Sequence, residues 1–407
     1  MAIFGAVPIP NHPPERSPAY RKLTRQVLRR KLWLFGIMNQ AKIVQILGFL
    51  AKWALKLRFP VRGIIRATVF KEFCGGESLQ KSLPKIEQLH RLGIGSIPDY
   101  SVEGLNSEEL MDETLVRLQE ALTFTANHPE TPLFVFKVTG LIHSNLLEAR
   151  GNQTLTDPIQ LQSYQRGQDR VTTLLRMASQ LQCPVMIDAE ESWLQDPIDQ
   201  IALEASMEFN RSKAIVIQTL QMYRHDRLDY LRHCLKHAEE AGYIPGFKVV
   251  RGAYMEKERD RAGLMGYTDP IQPDKSATDR DTHSAIHILL QHPRAFICLG
   301  THNRSSCVWA TELMNQFNIA TNSDRIIFAQ LLGMSDSLSV ELADAGYMVA
   351  KYLPFGPVDK VLPYLLRRAS ENSSAAGELS REYALLLAEQ THRRQESSVA
   401  NRTSSAA

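Results

Sequence analysis

An eight-stranded (β/α)8 barrel is the fold this sequence predicts, on three observations. Short runs of apolar, β-favouring residues recur from about residue 90 to residue 352. Longer stretches with helical periodicity separate them. Polar residues gather at the C-terminal end of each run, where the βα loops of a barrel converge.

The runs, in chain order, are Ile94–Ser101, Pro132–Val138, Pro184–Asp188, Ala214–Gln218, Phe247–Arg251, Ala295–Leu299, Arg325–Gln330 and Tyr347–Tyr352. Each is too short to stand as a helix and is dense in Val, Ile, Phe or Tyr. Between them, Ser107–Asn127, Leu161–Leu181, Arg227–Ala241, Thr278–Gln291 and Ser305–Gln316 read as helices. Such alternation predicts a parallel sheet, because parallel neighbours need a crossover helix. A doubly wound open sheet is the competing topology. It is weakened because no G-x-G-x-x-G follows the first strand and no G-x-x-x-x-G-K-[ST] occurs. After the turn Leu353-Pro354-Phe355-Gly356-Pro357 comes a final helix, Val358–Asn372. A further helical stretch follows Ser373, and the polar end Ser397–Ala407 is expected to be disordered. The expected organisation is a helical arm over 1–70, the barrel over 71–375, and a C-terminal helix and tail over 376–407.

With 407 residues, 44% hydrophobic and 22% charged, the chain can bury a full core, and its Gly and Pro usage excludes collagenous or wholly disordered classes. Five cysteines without a C-x-x-C argue against a disulfide scaffold or structural zinc and suit a reducing compartment. The net charge of +3 conceals an asymmetry: residues 16–71 hold fourteen Lys/Arg and no Asp/Glu, so the rest of the chain is acidic. That basic segment is also apolar, with Trp33, Phe35, Phe49 and Trp53. It suits an anionic membrane surface, or equally a helical arm whose apolar stripe packs on the barrel. Glu15 and the prolines from Pro8 to Pro18 weigh against an organellar transit signal, and no nucleic-acid reader motif accompanies the basic residues.

The strand ends carry Asp99 and Glu103, Lys137, Asp188 with Glu190 and Glu191, Gln218, Arg251, Thr301-His302-Asn303, Gln330, and Lys351-Tyr352. Any one could simply mark where a strand runs into water; together they predict a site for a large polar ligand. Arg251-Gly252-Ala253-Tyr254 sets a cation beside small residues that permit close backbone approach. Lys275-Ser276-Ala277-Thr278 is either a phosphate site or an ordinary helix cap. Several separated cation and amide positions suit a dinucleotide better than one phosphate. On the final helix Tyr364, Arg367, Arg368 and Glu371 share one face. That face is either solvated, with an Arg–Glu pair, or a carboxylate clamp, since a guanidinium fork matches a carboxylate. Lys137, Lys248 and Lys351 keep a Schiff-base aldolase-type barrel open, and a membrane scaffold with an inert barrel stays open too. His283 and His287 share a helix face but suggest no metal site.

The runs Phe136-Lys137-Val138, Met186 to Glu191, Ile217 to Tyr223, Lys248 to Tyr254, Thr301-His302-Asn303, Gln330 to Met334, and Tyr352 to Asn372 together resemble the proline dehydrogenase family, in order and over about residues 70–372. The resemblance implies a distorted (β/α)8 barrel, with the final helix over its mouth. It implies oxidation of L-proline to Δ1-pyrroline-5-carboxylate by hydride transfer to N5 of FAD, the first step of proline catabolism to glutamate, with a quinone as later electron acceptor. Lys137, Arg367 and Arg368 match residues that hold the substrate carboxylate. Asp188 matches a carboxylate engaging the tyrosine at 352, while Tyr254, Leu332 and Tyr364 match residues walling the proline ring. Gln218, Lys248, Val250, Gly252 and Ala253 match neighbours of the isoalloxazine or pyrophosphate. Lys275, Thr278, Thr301, His302, Asn303, Gln330 and Glu371 match further FAD contacts, and Glu103 matches a gate acid. Position 248 is Lys where some members have Arg. Tyr352 implies proline over hydroxyproline. The expected partners are a quinone, a membrane surface met through residues 16–71, and a separate pyrroline-5-carboxylate dehydrogenase downstream; no nucleic acid and no metal are expected. The expected location is the bacterial cytoplasm, peripheral at the inner membrane, or the matrix side of the mitochondrial inner membrane.

Overall fold

The computed structural model describes residues 7–40, 62–100, 107–358, 360–362, 365 and 378–404. Eight parallel strands pair in sequence order and close, the first against the last. They are β1 (Ile94–Tyr100), β2 (Phe134–Lys137), β3 (Val185–Asp188), β4 (Val216–Gln221), β5 (Gly246–Val250), β6 (Phe296–Gly300), β7 (Ile326–Leu331) and β8 (Val349–Phe355). Before the barrel lie α1 (Pro18–Arg21), α2 (Arg25–Met38), short helical turns over 62–73, and α3 (Leu79–His90). Around it run α4 (Glu108–Asn127), α5 (Ser144–Gly151), α6 (Pro158–Gln180), α7 (Ser192–Phe209), α8 (Arg227–Ala241), α9 (Met255–Met265), α10 (Lys275–Gln291), α11 (Arg304–Gln316) and α12 (Asp336–Asp344). A terminal helix, α13 (Glu378–Ser404), follows.

Alternation along each strand divides the core in two. Ile97, Val135, Met186, Ile217, Cys298, Ala329, Ala350 and Tyr352 form one cluster inside the barrel. Their neighbours Phe136, Ile187, Phe247, Val249 and Phe328 belong to the clusters between sheet and helices. Polar caps set the helix starts: Ser107, Asp157, Asp274 and Asn303 accept from backbone amides of α4, α6, α10 and α11.

Three boundaries differ most from expectation, the first being β8, which starts at Val349 and runs on to Phe355 through what the sequence reads as the opening of a turn. β4 starts at Val216 and reaches Gln221, three residues beyond the expected end. Asn210 Oδ1 accepts from the amides of Ile215 and Val216 at 2.9 and 2.7 Å, tying down the strand entrance. Thr219, Leu220 and Gln221 then pair with Lys248, Val249 and Val250. The polar stretch from Ser397, expected to be disordered, instead stays helical to Ser404. It is anchored because Arg393 donates to the carbonyls of Tyr20, Arg21 and Leu23, while Arg16 pairs with Glu389.

The arm packs on its own chain where it is described. Leu28, Leu32 and Phe35 of α2 form a cluster with Phe70, Phe73, Val361, Leu365 and Leu386 of α13. Trp33 points the other way and is 59% exposed, beside exposed Arg29. Residues 41–61, with Phe49 and Trp53, lie outside the described residues. Among the described residues no helix is long and apolar enough to cross a membrane.

Candidate active site

Strand parity carries Lys137, Asp188, Thr219, Lys248 and Tyr352 to the inner face near the C-terminal mouth. Lys137 pairs in register with Asp188, and Thr219 with Lys248. The centre of this ring is Lys248, buried, whose Nζ donates to an Asp188 carboxylate oxygen and to the Tyr352 hydroxyl at 2.7 Å. The same ammonium lies 4.8 Å from the Tyr352 ring centroid. Tyr352 in turn directs its hydroxyl to Met186 Sδ at 3.6 Å. The Thr219 hydroxyl is buried with no hydrogen-bond partner among the described residues.

A second layer lies above β4 and β5. Gln221, which sequence reasoning passed over, donates to the Glu190 carbonyl at 2.7 Å and accepts from the Ala253 amide at 3.1 Å. Gln218 stands in the wall instead, donating to Asp199 and to the Tyr230 hydroxyl, because Ile217 occupies the inward position. Gln330 is also turned outward, donating to the Thr301 carbonyl and accepting from Ser339. Both side chains thus sit in the barrel wall rather than in its lumen. The signal was present: a step of three along a strand changes face, so Gln218 and Gln221 cannot both point inward.

Gly252 explains the Arg-Gly-Ala-Tyr motif. Its φ is +143°, and a Cβ there would lie 2.4–2.5 Å from three atoms of the Tyr223 ring. Gly252→Ala should therefore lower stability by roughly 2–4 kcal/mol through strain and overpacking. Urea unfolding checks this; a midpoint equal to the parent's would show that the Tyr223 ring gives way freely.

Next to it, Arg251 donates to Thr301 Oγ1 at 2.8 Å, to Ser306 Oγ at 3.0 Å and to Asp279. Burial opposes ionisation of Asp279, but Lys275 and Arg251 outweigh it and hold the carboxyl below its usual range. Asp274 accepts from the Ala277 amide at 2.8 Å, and the Thr278 hydroxyl donates to the Asp274 carbonyl at 3.3 Å, so the Lys275–Thr278 stretch is at least a capped helix start. His302 Nδ1 lies 3.0 Å from Ser335 Oγ, and Asn303 caps α11. Val250 lines the inner face of β5; Tyr254 and Leu332 are buried, and the Leu332 amide donates to the Tyr352 carbonyl at 3.0 Å. Lys351 faces outward, between β8 and α12, where it pairs with Asp336. Glu103, Tyr364, Arg367, Arg368 and Glu371 lie outside the described residues.

Glu190 was noted only as a polar rim residue. It is buried and accepts from the amide and hydroxyl of Thr139 at 3.0 and 2.5 Å. Burial pushes its carboxyl up to about 7, against the pull of Lys137 and Thr139. A folded-state value above the ordinary 4.5 means that the native state holds this proton more tightly than the unfolded chain. The resulting stabilisation is complete below about pH 4.5 and is lost as pH rises through about 7. We expect the thermal midpoint to decline across that window and Glu190→Gln to flatten the decline; parallel profiles for the two proteins would contradict it.

A closed parallel barrel with a lysine, a carboxylate and a phenol converging inside its C-terminal mouth belongs to the TIM-barrel class of enzyme folds. A sequence model described as proline dehydrogenase matches residues 82–381, more than half of the chain. The chain belongs to the proline dehydrogenase family. It is similar to mitochondrial proline dehydrogenase 1 of Dictyostelium discoideum, 29% identical over 384 residues, covering 84% of this chain and 67% of that one. It is also similar to the carbapenem antibiotics biosynthesis protein CarD of Pectobacterium carotovorum subsp. carotovorum, 32% identical over 327 residues, covering 80% of this chain and 84% of that one. Among solved structures, proline utilization A from Bdellovibrio bacteriovorus, inactivated by N-propargylglycine, shares the fold at a TM-score of 0.70 and 20% identity. That match covers 79% of this chain, which spans about a third (35%) of the solved chain.

Proposed function

We propose that this protein oxidises L-proline to Δ1-pyrroline-5-carboxylate with FAD as the immediate acceptor and a quinone as the later one. The observation that carries the reading is Lys248, held between Asp188 and Tyr352 at the barrel mouth of a proline dehydrogenase family member.

The residues present fit a flavin dinucleotide. Cationic and amide donors spread along the ends of β5 and β6 suit a pyrophosphate, and the unpartnered Thr219 hydroxyl faces the space inside the mouth. Lys248, Val250, Gly252, Ala253, Lys275, Thr278, Thr301, His302, Asn303 and Glu371 would hold the group; Gln221 takes the inward place expected of Gln218. When bound, FAD supplies the two-electron acceptor.

The chain's own residues then have separable tasks. Lys137, Arg367 and Arg368 bind the substrate carboxylate, and Glu103 closes the entrance by pairing with the clamp. Tyr254, Leu332 and Tyr364 wall the ring and exclude water. Hydride can leave the carbon beside nitrogen only when that nitrogen is unprotonated, and the cations around the carboxylate disfavour the protonated form. Lys248 fixes the Asp188 carboxylate and the Tyr352 phenol against each other, and Tyr352 leaves room for an unsubstituted ring rather than hydroxyproline. The basic residues within 16–71 draw the chain to an anionic membrane, at the bacterial inner membrane or the matrix side of the mitochondrial one, and the pyrroline product passes to a separate dehydrogenase.

The test is the visible spectrum of the purified chain. A flavin spectrum that bleaches on anaerobic addition of L-proline is expected. A colourless chain that takes up no FAD and leaves proline unchanged refutes the reading. Borohydride trapping of a substrate on Lys137 or Lys248 would favour the Schiff-base alternative. Lys351, paired outside the barrel lumen, is not a candidate for it.

A further inference from the structure

We propose that Lys31 and Glu72, both ahead of the barrel in sequence, act with Lys351 as positioning residues that set the β7–α12 loop, and through it Leu332 and His302, at the barrel mouth. The inference rests on the proline-oxidising reading above, which makes those two residues part of the site.

The loop Leu332-Gly333-Met334-Ser335 adopts an unusual backbone. Gly333 has φ +76° and Ser335 φ +50°. A left-handed serine costs about 1–2 kcal/mol and persists where its surroundings leave no alternative. Those surroundings are ionic. Lys351 Nζ donates to the carbonyls of Leu331 and Met334 at the two ends of the loop, and pairs with Asp336 at 3.1 Å. Lys31 Nζ, from α2, bridges Glu72 and the second oxygen of Asp336, the latter at 3.2 Å. The Glu72–Phe73 segment presses on the same turn: a Cβ at Gly333 would stand 2.7 Å from the Glu72 carbonyl oxygen and 2.8 Å from the Phe73 ring. On a third side, Glu382 of α13 is buried beside the backbone of Asp336 and Ser337, which favours its charged form against the cost of burial. Burial lowers the basicity of Lys31, but Asp336 and Glu72 overcome it, so Lys31 stays charged, and Asp336 is held far below its usual range.

What this clamp delivers is geometry at the mouth. Ser335 Oγ lies 3.0 Å from His302 Nδ1, and the Leu332 amide reaches the Tyr352 carbonyl at 3.0 Å. The basic arm thereby has a task inside the enzyme.

Removing a cation and an anion together avoids leaving one buried charge unpaired. In the full-length chain without added FAD or proline, Lys31→Met/Glu72→Gln should speed amide hydrogen exchange over residues 332–337 by about tenfold. With FAD bound, the KM for proline should rise about tenfold while kcat changes by less than about threefold. Lys31→Arg, which keeps the charge, should restore most of both. Asp336→Asn carries the same prediction in the loop itself and serves where the double variant does not accumulate as folded protein. Parental exchange rates and parental KM in whichever variant folds overturn the proposal. If the parent itself fails to oxidise proline, the functional reading falls while the exchange experiment still decides whether the clamp sets the loop.

Discussion

Replacing Lys248 by Met should lower kcat/KM for proline by about 10²–10³, with the barrel still folded. The side chain is buried and its ammonium is shared between Asp188 and the Tyr352 hydroxyl, so Met leaves a carboxylate without its cation inside the mouth. Breaking one partner of a buried pair costs about 3–5 kcal/mol, because the charge left behind has lost its counter-ion. On the proposed reading this disturbs the surface against which the substrate ring would lie. Lys248→Arg, which retains charge but spreads its donors over a planar fork, should stay within about tenfold of the parent. Steady-state kinetics with circular dichroism as a folding control separate these outcomes. A Met variant within about threefold of the parent would show that the Lys248–Asp188–Tyr352 cluster does not touch the chemistry.

That cluster was legible in the sequence because it obeys short-range rules. Lys137 and Asp188 close or nearly close an apolar run, Lys248 lies inside one, and alternation from Val135, Met186 and the outward Phe247 puts all three on the inner face. The engagement of Asp188 with Tyr352, by contrast, was implied only by the family resemblance. The β4 end was harder to read for the same reason. A strand that enters the mouth must turn polar inward, and the residues Thr219 and Gln221 that do so break the apolar signal that marks a strand. Gln218 was therefore taken for the end, although it faces the helices, and the residue three positions later carries the polar side chain into the barrel. Hydrogen bonds from Asn210, distant from any periodicity, set where the strand begins.

Long-range electrostatics were not legible at all. Lys31 meets Glu72 across 41 residues and Asp336 across 305. Nothing in a basic, apolar helix announces that its one lysine is buried while the neighbouring Arg29 and Trp33 face solvent. The persistence of α13 to Ser404 has a similar origin, since Arg393 finds its carbonyl partners about 370 residues away in α1 and its following turn. Composition alone described that segment as polar and therefore unstructured; tertiary hydrogen bonds decided otherwise.

Arg368→Met should raise the KM for proline by about 10–100-fold while FAD remains bound and kcat falls much less. A charge-assisted hydrogen bond is worth about 1.5–3 kcal/mol, and a bidentate guanidinium–carboxylate pair lies at the upper end. In the proposed reaction the same carboxylate would be held in the bound substrate and throughout hydride loss, so its partners would contribute mainly uniform binding, which appears in KM. Lys137, on the inner face beside Asp188, would on the proposed reading supply a second cation to the carboxylate and limit the loss. Arg368→Lys should recover only part of the affinity, because an ammonium replaces two parallel N–H bonds by a point charge. A cyclic ether of the same ring size, uncharged and lacking the carboxylate, should bind the parent and the Met variant equally weakly. Flavin content measured by absorbance, together with proline saturation curves, checks the whole set. Unaltered saturation by proline in Arg368→Met would remove this arginine from the clamp and leave Lys137 and Arg367 to hold the substrate.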